Sequence, residues 1–206
     1  MLDNLDTNNL VRLEGEVVSG LMLSHEIYGE QFYKFEIEIP RLSESNDTVV
    51  VTASERLLKE MEVMQGSVIQ VEGQYRSYNN YSGKGSKLVL TVFAKAIYPG
   101  TADFSSPNFV YLNGYVCKTP TYRTTPFGRE IADVLLAVNR QYGKSDYIPC
   151  IAWGRNAKFC AGMEVGTNLK VWGRIQSRLY KKKIDEEFFE ERIAYEVSIS
   201  KLEVVK

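Results

Sequence analysis

The chain repeats itself. Shifting its second half back by 99 positions aligns the two halves without a gap for some fifty residues. Val11, Leu13, Gly15 and Val17 meet Val110, Leu112, Gly114 and Val116; Arg41 meets Arg140; Ala53, Arg56 and Lys59 meet Ala152, Arg155 and Lys158. One inserted residue then makes the offset 100, and Gly66, Val71, Gly73 and Ser77 meet Gly166, Val171, Gly173 and Ser177. So many matches at one nearly constant offset mean two copies of one unit of about 100 residues, a common domain size. Between the copies lies GTADFSSP, a run of turn formers that reads as a linker. The expected units are residues 1–100 and 108–206, joined by 101–107.

Each copy is patterned for strands. Residues 11–18 alternate apolar and polar, as do 32–39, the period-2 mark of half-buried strands. The β-branched run 48–53 follows, and Ser54 stands as an N-cap before a short helix. Residues 67–75 and 87–94 return to strand. The second copy keeps the order, with strands near 109–118, 129–138, 147–153, 167–180 and 192–204 and a helix near 155–161. Five strands with one short helix between the third and fourth specify an all-β chain of two tandem OB-fold, five-stranded Greek-key barrels.

The net charge of −1 conceals an asymmetry. Residues 1–105 hold nine Lys and Arg against fifteen Asp and Glu, a net −6; residues 106–206 hold sixteen against eleven, a net +5. The second copy is therefore the better partner for phosphate. Sixteen cations also suit a plain solvated surface, so charge alone does not decide. Cys117, Cys150 and Cys160 cannot all pair and form no Cys-x-x-Cys spacing, and His25 is the only histidine. Buried thiols in a reducing, cytoplasmic setting are expected, with no metal and no cofactor. No P-loop or Gly-x-Ser-x-Gly appears and no apolar run reaches membrane-span length, so neither an enzyme nor a membrane protein is expected.

The second copy carries a fuller pattern: NGYV at 113–116, TPFGREIADVLLAVN at 125–139, YIPCIAWGRNA at 147–157 and GMEVGTNLKVWGRIQS at 162–177. In order and spacing this resembles the bacterial single-stranded DNA-binding protein family over about residues 109–204. The first copy is similar only at its first strand, at 35–41 and at 68–77, as a diverged acidic sister. The resemblance implies a nucleoid-associated protein of replication, recombination or repair that coats unpaired DNA without reading its sequence. Stacking would serve RNA as well. Family-type assembly from four OB folds implies a homodimer of this two-barrel chain. The family often ends in a flexible, acidic-tipped tail that recruits replication or recombination proteins; this sequence stops at KLEVVK, so recruitment by such a tail is not expected. The competing reading is an OB-fold adaptor of the replication-restart (primosomal) type, acting mainly through protein contacts.

A sequence-tolerant binder needs flat rings for bases and cations for the backbone. The resemblance carries the stacking positions to Tyr142, Tyr147, Trp153 and Tyr180. Around them stand Arg123, Arg129, Arg140, Arg155, Arg174, Arg178 and the triplet Lys181, Lys182 and Lys183. Strand alternation puts Arg174, Gln176, Arg178 and Tyr180 on one face. In the first copy, Ser54 replaces Trp153 and Glu72 replaces Trp172; only Tyr78, Tyr81 and Lys84, near a hairpin tip, offer a secondary contact.

Overall fold

The computed structural model describes residues 8–41, 43, 45–81, 88–183 and 189–205. In the first copy, β1 (Asn9–Val17), β2 (Met22–Ile27), β3 (Glu30–Pro40), β4 (Asn46–Ser54), α1 (Glu55–Met61), β5 (Val68–Asn79) and β6 (Leu88–Pro99) follow in order. The second has β7 (Asn108–Thr124), β8 (Glu130–Asn139), β9 (Ser145–Trp153), α2 (Arg155–Ala161), β10 (Asn168–Lys183) and β11 (Phe189–Val204). Among the described residues no helix is long and apolar enough to cross a membrane.

Both copies close as OB folds. In the first, β1 pairs β3 and β5, β5 pairs β6, β3 pairs β4, and β4 runs parallel to β6. In the second, β7 pairs β8 and β10, β10 pairs β11, β8 pairs β9, and β9 runs parallel to β11. Alternation fills each barrel: Val11, Leu13, Phe35, Ile37, Val71 and Val92 in one, Val110, Leu112, Leu136, Ile148, Leu169 and Val197 in the other. Ser54 caps α1 by accepting the Leu57 N–H, as its position predicts. Two elements differ from expectation. Residues 22–27, between the first two expected strands, form β2, an exposed strand hairpinned onto β3. In the second copy the corresponding stretch is the far end of β7, which runs on to Thr124 through two register shifts. Exposed on both faces, β2 lacks the alternation that betrays a half-buried strand.

The barrels share one sheet. β1 pairs antiparallel with β7, from Asn9 opposite Leu112 to Leu13 opposite Asn108. The seam is locked by contacts that repeat on both sides. The Asn9 side chain brackets the backbone of Tyr75, donating to its C=O and accepting from its N–H, both at 2.8 Å. Asn108 brackets Ile175 in the same way at 2.7 and 2.8 Å. Asp47 accepts the Ser177 N–H at 2.8 Å, and its counterpart Asp146 accepts the Ser77 N–H at 2.7 Å. Each aspartate also meets an arginine of its own barrel, Arg41 or Arg140, and one from across the seam, Arg174 or Arg76. The crossing arginines do not occupy equivalent positions: Gln74 stands opposite Arg174 in the repeat, and Arg76 opposite Gln176.

Cys117, Cys150 and Cys160 are free thiols. Burial pushes the Cys150 and Cys160 thiols up, Cys160 to about 11, so both stay protonated and pack as small apolar side chains.

Candidate nucleic-acid interface

The outer wall of the second barrel is built by alternation on β9, β10 and β11. On β9, Ile148, Cys150 and Ala152 point inward, which leaves Tyr147 and Trp153 outside, 47 % and 36 % exposed. The Trp153 indole N–H donates to Ser198 Oγ of β11 at 3.2 Å, fixing the ring's edge while its body faces solvent. On β10, Ile175 is in the core, so Arg174, Gln176, Arg178 and Tyr180 take the opposite face. The Arg178 guanidinium lies 6.0 Å from the centre of the half-buried Tyr180 ring.

Tyr142 sits apart, in a single 3-10 turn (Gln141–Gly143) after β8. Its φ of 61° is left-handed, a conformation that disfavours a bulky residue, and Gly143 follows at 66°. This turn throws the ring outward, 94 % exposed.

The cations divide into two groups. Arg129, Arg155 and Lys181 are exposed, and Lys181 lies 3.9 Å from Glu191. Arg123 is exposed but forked onto Asp133 at 3.0 and 3.3 Å, and Arg178 lies 4.0 Å from Glu196. Glu196 also accepts from Gln176 Nε2 at 2.6 Å, so one carboxylate stands in the midst of this wall. Arg140 and Arg174 are turned toward the seam, Arg140 Nε lying 3.5 Å from Asp146 and Arg174 Nη1 2.6 Å from Asp47. Lys182 and Lys183 lie on the β10 backbone, with side chains outside the described residues. The structure thus brings Tyr147, Trp153, Arg178 and Tyr180 onto one wall, with Tyr142 and Arg140 at the seam end.

In the first barrel, Tyr78 and Tyr81 are exposed, and Lys34 Nζ donates to the Tyr78 hydroxyl at 2.8 Å. Lys84 lies outside the described residues. Two further second-barrel rings lie outside the expected set. Phe127 is 92 % exposed in the turn between β7 and β8, signalled only by Pro126 and Gly128 around it. Trp172 packs on Tyr111 at 5.2 Å under the Lys201 ammonium. Among the described residues no cluster of His, Cys, Asp and Glu could hold a metal ion.

Residues 107–205 match the single-strand binding protein family. The chain is 39 % identical over 83 residues to single-stranded DNA-binding protein 3 of Clostridium acetobutylicum, covering 37 % of this chain and 58 % of that protein. It is 35 % identical over 89 residues to single-stranded DNA-binding protein A of Bacillus subtilis, covering 40 % and 52 %. The chain thus spans little more than half the length of these relatives. The wild-type single-stranded DNA binding protein from Thermus aquaticus superposes with a TM-score of 0.73 at 21 % identity, over 96 % of this chain and 93 % of that one. At that identity the likeness is one of fold.

Proposed function

Because residues 107–205 match the single-strand binding protein family, we propose that this protein coats single-stranded DNA without sequence preference. One observation carries the reading: Tyr147 and Trp153 stand on the outer face of β9, not in the barrel, with the basic face of β10 one strand away across β11. Each offers a π-face that accepts any base, and stacking of this kind contributes ~1–3 kcal/mol per base. Tyr142 and Tyr180 extend the platform toward the seam and the β10–β11 hairpin. Arg123, Arg129, Arg155, Arg178 and Lys181 to Lys183 take phosphates. Arg140 and Arg174, each held by a seam aspartate, add positive potential at the edge of the track. Arg123 and Arg178 must leave or share their carboxylates to contact DNA, which sets a modest enthalpic cost against the release of counterions.

Bases of RNA offer the same faces, so RNA is an alternative ligand of the same wall. The two units, 1–100 and 108–206, act together, and two chains associate to present four barrels in the bacterial nucleoid, with replication and recombination as the setting. Fluorescence titration with thymidine oligomers of increasing length tests the reading. Quenching of tryptophan emission with tight binding, weakened by salt, is expected. Failure to bind any oligomer at low salt would overturn it and favour an adaptor that works through protein contacts.

A further inference from the structure

The two copies of one fold end in two different edges. In the sheet order β2 is the last strand, and among the described residues it pairs with β3 alone. Alternate N–H and C=O groups of such a strand point away from its partner, so β2 presents an unpaired row. The far end of β7 holds the equivalent place in the second copy. By the register of the repeat, Leu21, Met22 and Leu23 stand where that edge has Pro120, Thr121 and Tyr122, and Ser19 where it has Lys118. The second edge is blunted: Pro120 has no N–H to give, two register shifts break the strand, and Arg123 is forked onto Asp133. β2 has one register shift, at Ser24, and no proline, lysine or arginine. Leu21 just ahead of it, and Met22, Leu23 and Ile27 along it, are exposed.

Beside this edge opens a groove of about 560 Å³, lined on one side by Ser24, His25 and Ile27 and on the other by Phe93 of β6. His25 lies parallel on the buried Phe32, centroids 4.9 Å apart at 5°, which holds β2 firmly to the barrel. The groove is basic. Lys34 is anchored on Tyr78, the Arg76 guanidinium lies 5.9 Å from the centre of the Phe93 ring, and Arg140 comes from the second barrel. Among the described residues lining it there is no carboxylate, although the half of the chain that builds most of it has a net charge of −6. Directly opposed residues of paired strands share a face. Leu23 opposite Tyr33 therefore faces one side of the sheet, and His25 opposite Phe32 and Ile27 opposite Glu30 face the other, the groove side.

We propose that the free edge of β2 takes up an extended segment of a partner protein as an added strand, with acidic side chains toward the groove and apolar ones toward Leu23. Main-chain hydrogen bonds along β2 supply affinity, and alternate side chains supply choice. Carboxylates on the groove side stand in the field of Lys34, Arg76 and Arg140, which no lining carboxylate opposes. Two other occupants fit less well. Two six-residue edges of neighbouring copies, paired with nothing else, cover far less than the ~1,200–2,000 Å² of a stable interface. A nucleic-acid strand binds through rings and cations and has no use for an amide row flanked by leucine and methionine. The edge is a protein-docking site in its own right, whether or not the second barrel holds DNA.

The test uses the full chain and three labelled peptides of about eight residues, the length of an ordinary strand. One alternates valine and aspartate, one alternates valine and lysine, and one places all its valines before all its aspartates. Fluorescence anisotropy is expected to show the first binding about tenfold more tightly than either of the others. Hydrogen exchange of the wild-type chain should slow over residues 22–27 when that peptide is added. Lys34→Glu should weaken the acidic peptide about tenfold and strengthen the basic one. The triple variant Leu21→Pro, Met22→Thr, Leu23→Tyr gives the edge its sister's residues and should also weaken the acidic peptide about tenfold. Equal binding of the three peptides, or unchanged exchange over 22–27, would overturn the site. Slowing of the same residues by a thymidine oligomer of about 12 nucleotides but not by the peptide would overturn it in favour of nucleic acid. Slowing that grows with protein concentration alone would overturn it in favour of a second copy. Exchange in the wild-type chain needs no variant, so a poorly folded mutant does not blunt the test.

Discussion

Val11 stands directly opposite Val110 across the seam, and the two residues hold the same place in the two copies. The pairing of β1 with β7 is therefore centred on a pseudo-two-fold axis through this valine pair. The bracket that Asn9 places on Tyr75 on one side recurs on the other, as Asn108 on Ile175. Isologous interfaces of symmetric dimers have this form. Here it is made within one chain.

The axis relates Asp47 to Asp146, but their surroundings differ. Asp47 accepts from Arg41 Nε at 2.9 Å, Arg174 Nη1 at 2.6 Å and the Ser177 N–H at 2.8 Å. Replacing it by asparagine leaves two guanidinium groups facing an amide. Loss of one partner of a buried pair typically costs 3–5 kcal/mol; because both arginines keep some solvent, Asp47→Asn should cost about 2–3 kcal/mol. Urea unfolding checks this, and a midpoint equal to wild type would count against the clasp.

Asp146 is equally buried but less well paired, its Oδ2 lying 3.5 Å from Arg140 and 3.9 Å from Arg76, beyond good hydrogen-bond distance. Burial raises its pKa above the ordinary 3.8, outweighing the Ser77 N–H and the two arginines, which lower it. A folded pKa above the unfolded one means that the native state holds the proton more tightly. This group's contribution to stability is therefore greatest below the unfolded value and is lost as pH rises through the folded one. Asp146→Asn should cost less than Asp47→Asn at neutral pH. Stability of wild type relative to that variant should fall as pH rises from about 3.8 through the raised value. A difference independent of pH across that window would refute the assignment.

Gly73 and Gly173 sit at register shifts in β5 and β10, where the facing strand's backbone comes close. A Cβ at Gly173 would collide with the Ser198 carbonyl oxygen, and one at Gly73 with that of Phe93. Backbone cannot step aside as a flexible side chain can, so Gly173→Ala should destabilise by about 2–3 kcal/mol, at the upper part of the overpacking range. Thermal melting of the variant reports it directly; an unchanged melting temperature would show that β11 yields easily.

Ring and cation contributions separate by their response to salt. Trp153→Ala should weaken oligomer binding by ~1–3 kcal/mol with little change in salt dependence, because stacking releases no counterions. Changing Lys181, Lys182 and Lys183 together to alanine should flatten the plot of log K against log salt by about 0.7 for each phosphate no longer neutralised. Titrations at several salt concentrations distinguish these outcomes. Equal slopes for the triple variant and wild type would remove the hairpin from the interface.

The repeat and its alternation made most of the fold legible. The inward residues Ile148, Cys150 and Ala152 leave Tyr147 and Trp153 outside by parity alone, and α2 falls where its counterpart α1 requires. Parity states only whether a side chain faces the barrel interior; it does not say what covers the outside. Arg174 read as an outward cation on β10, and so it is, but the first barrel lies over it and Asp47 claims it from 127 positions away. Phe93 was hidden for the opposite reason. Set in an apolar strand beside Val92, it carries no local sign that its outer side opens into a groove rather than toward a neighbour.

A homodimer inherits each substitution twice, once on either side of its axis, so an arginine gained by one subunit is gained by both. The covalent union of these two barrels lifts that constraint. Glutamine and arginine have changed places between 74 and 174, and again between 76 and 176, while each ionic clasp keeps its crossing arginine. Tethering thus lets the two halves of a nearly self-complementary joint differ from each other, and one barrel can specialise while the other holds the geometry.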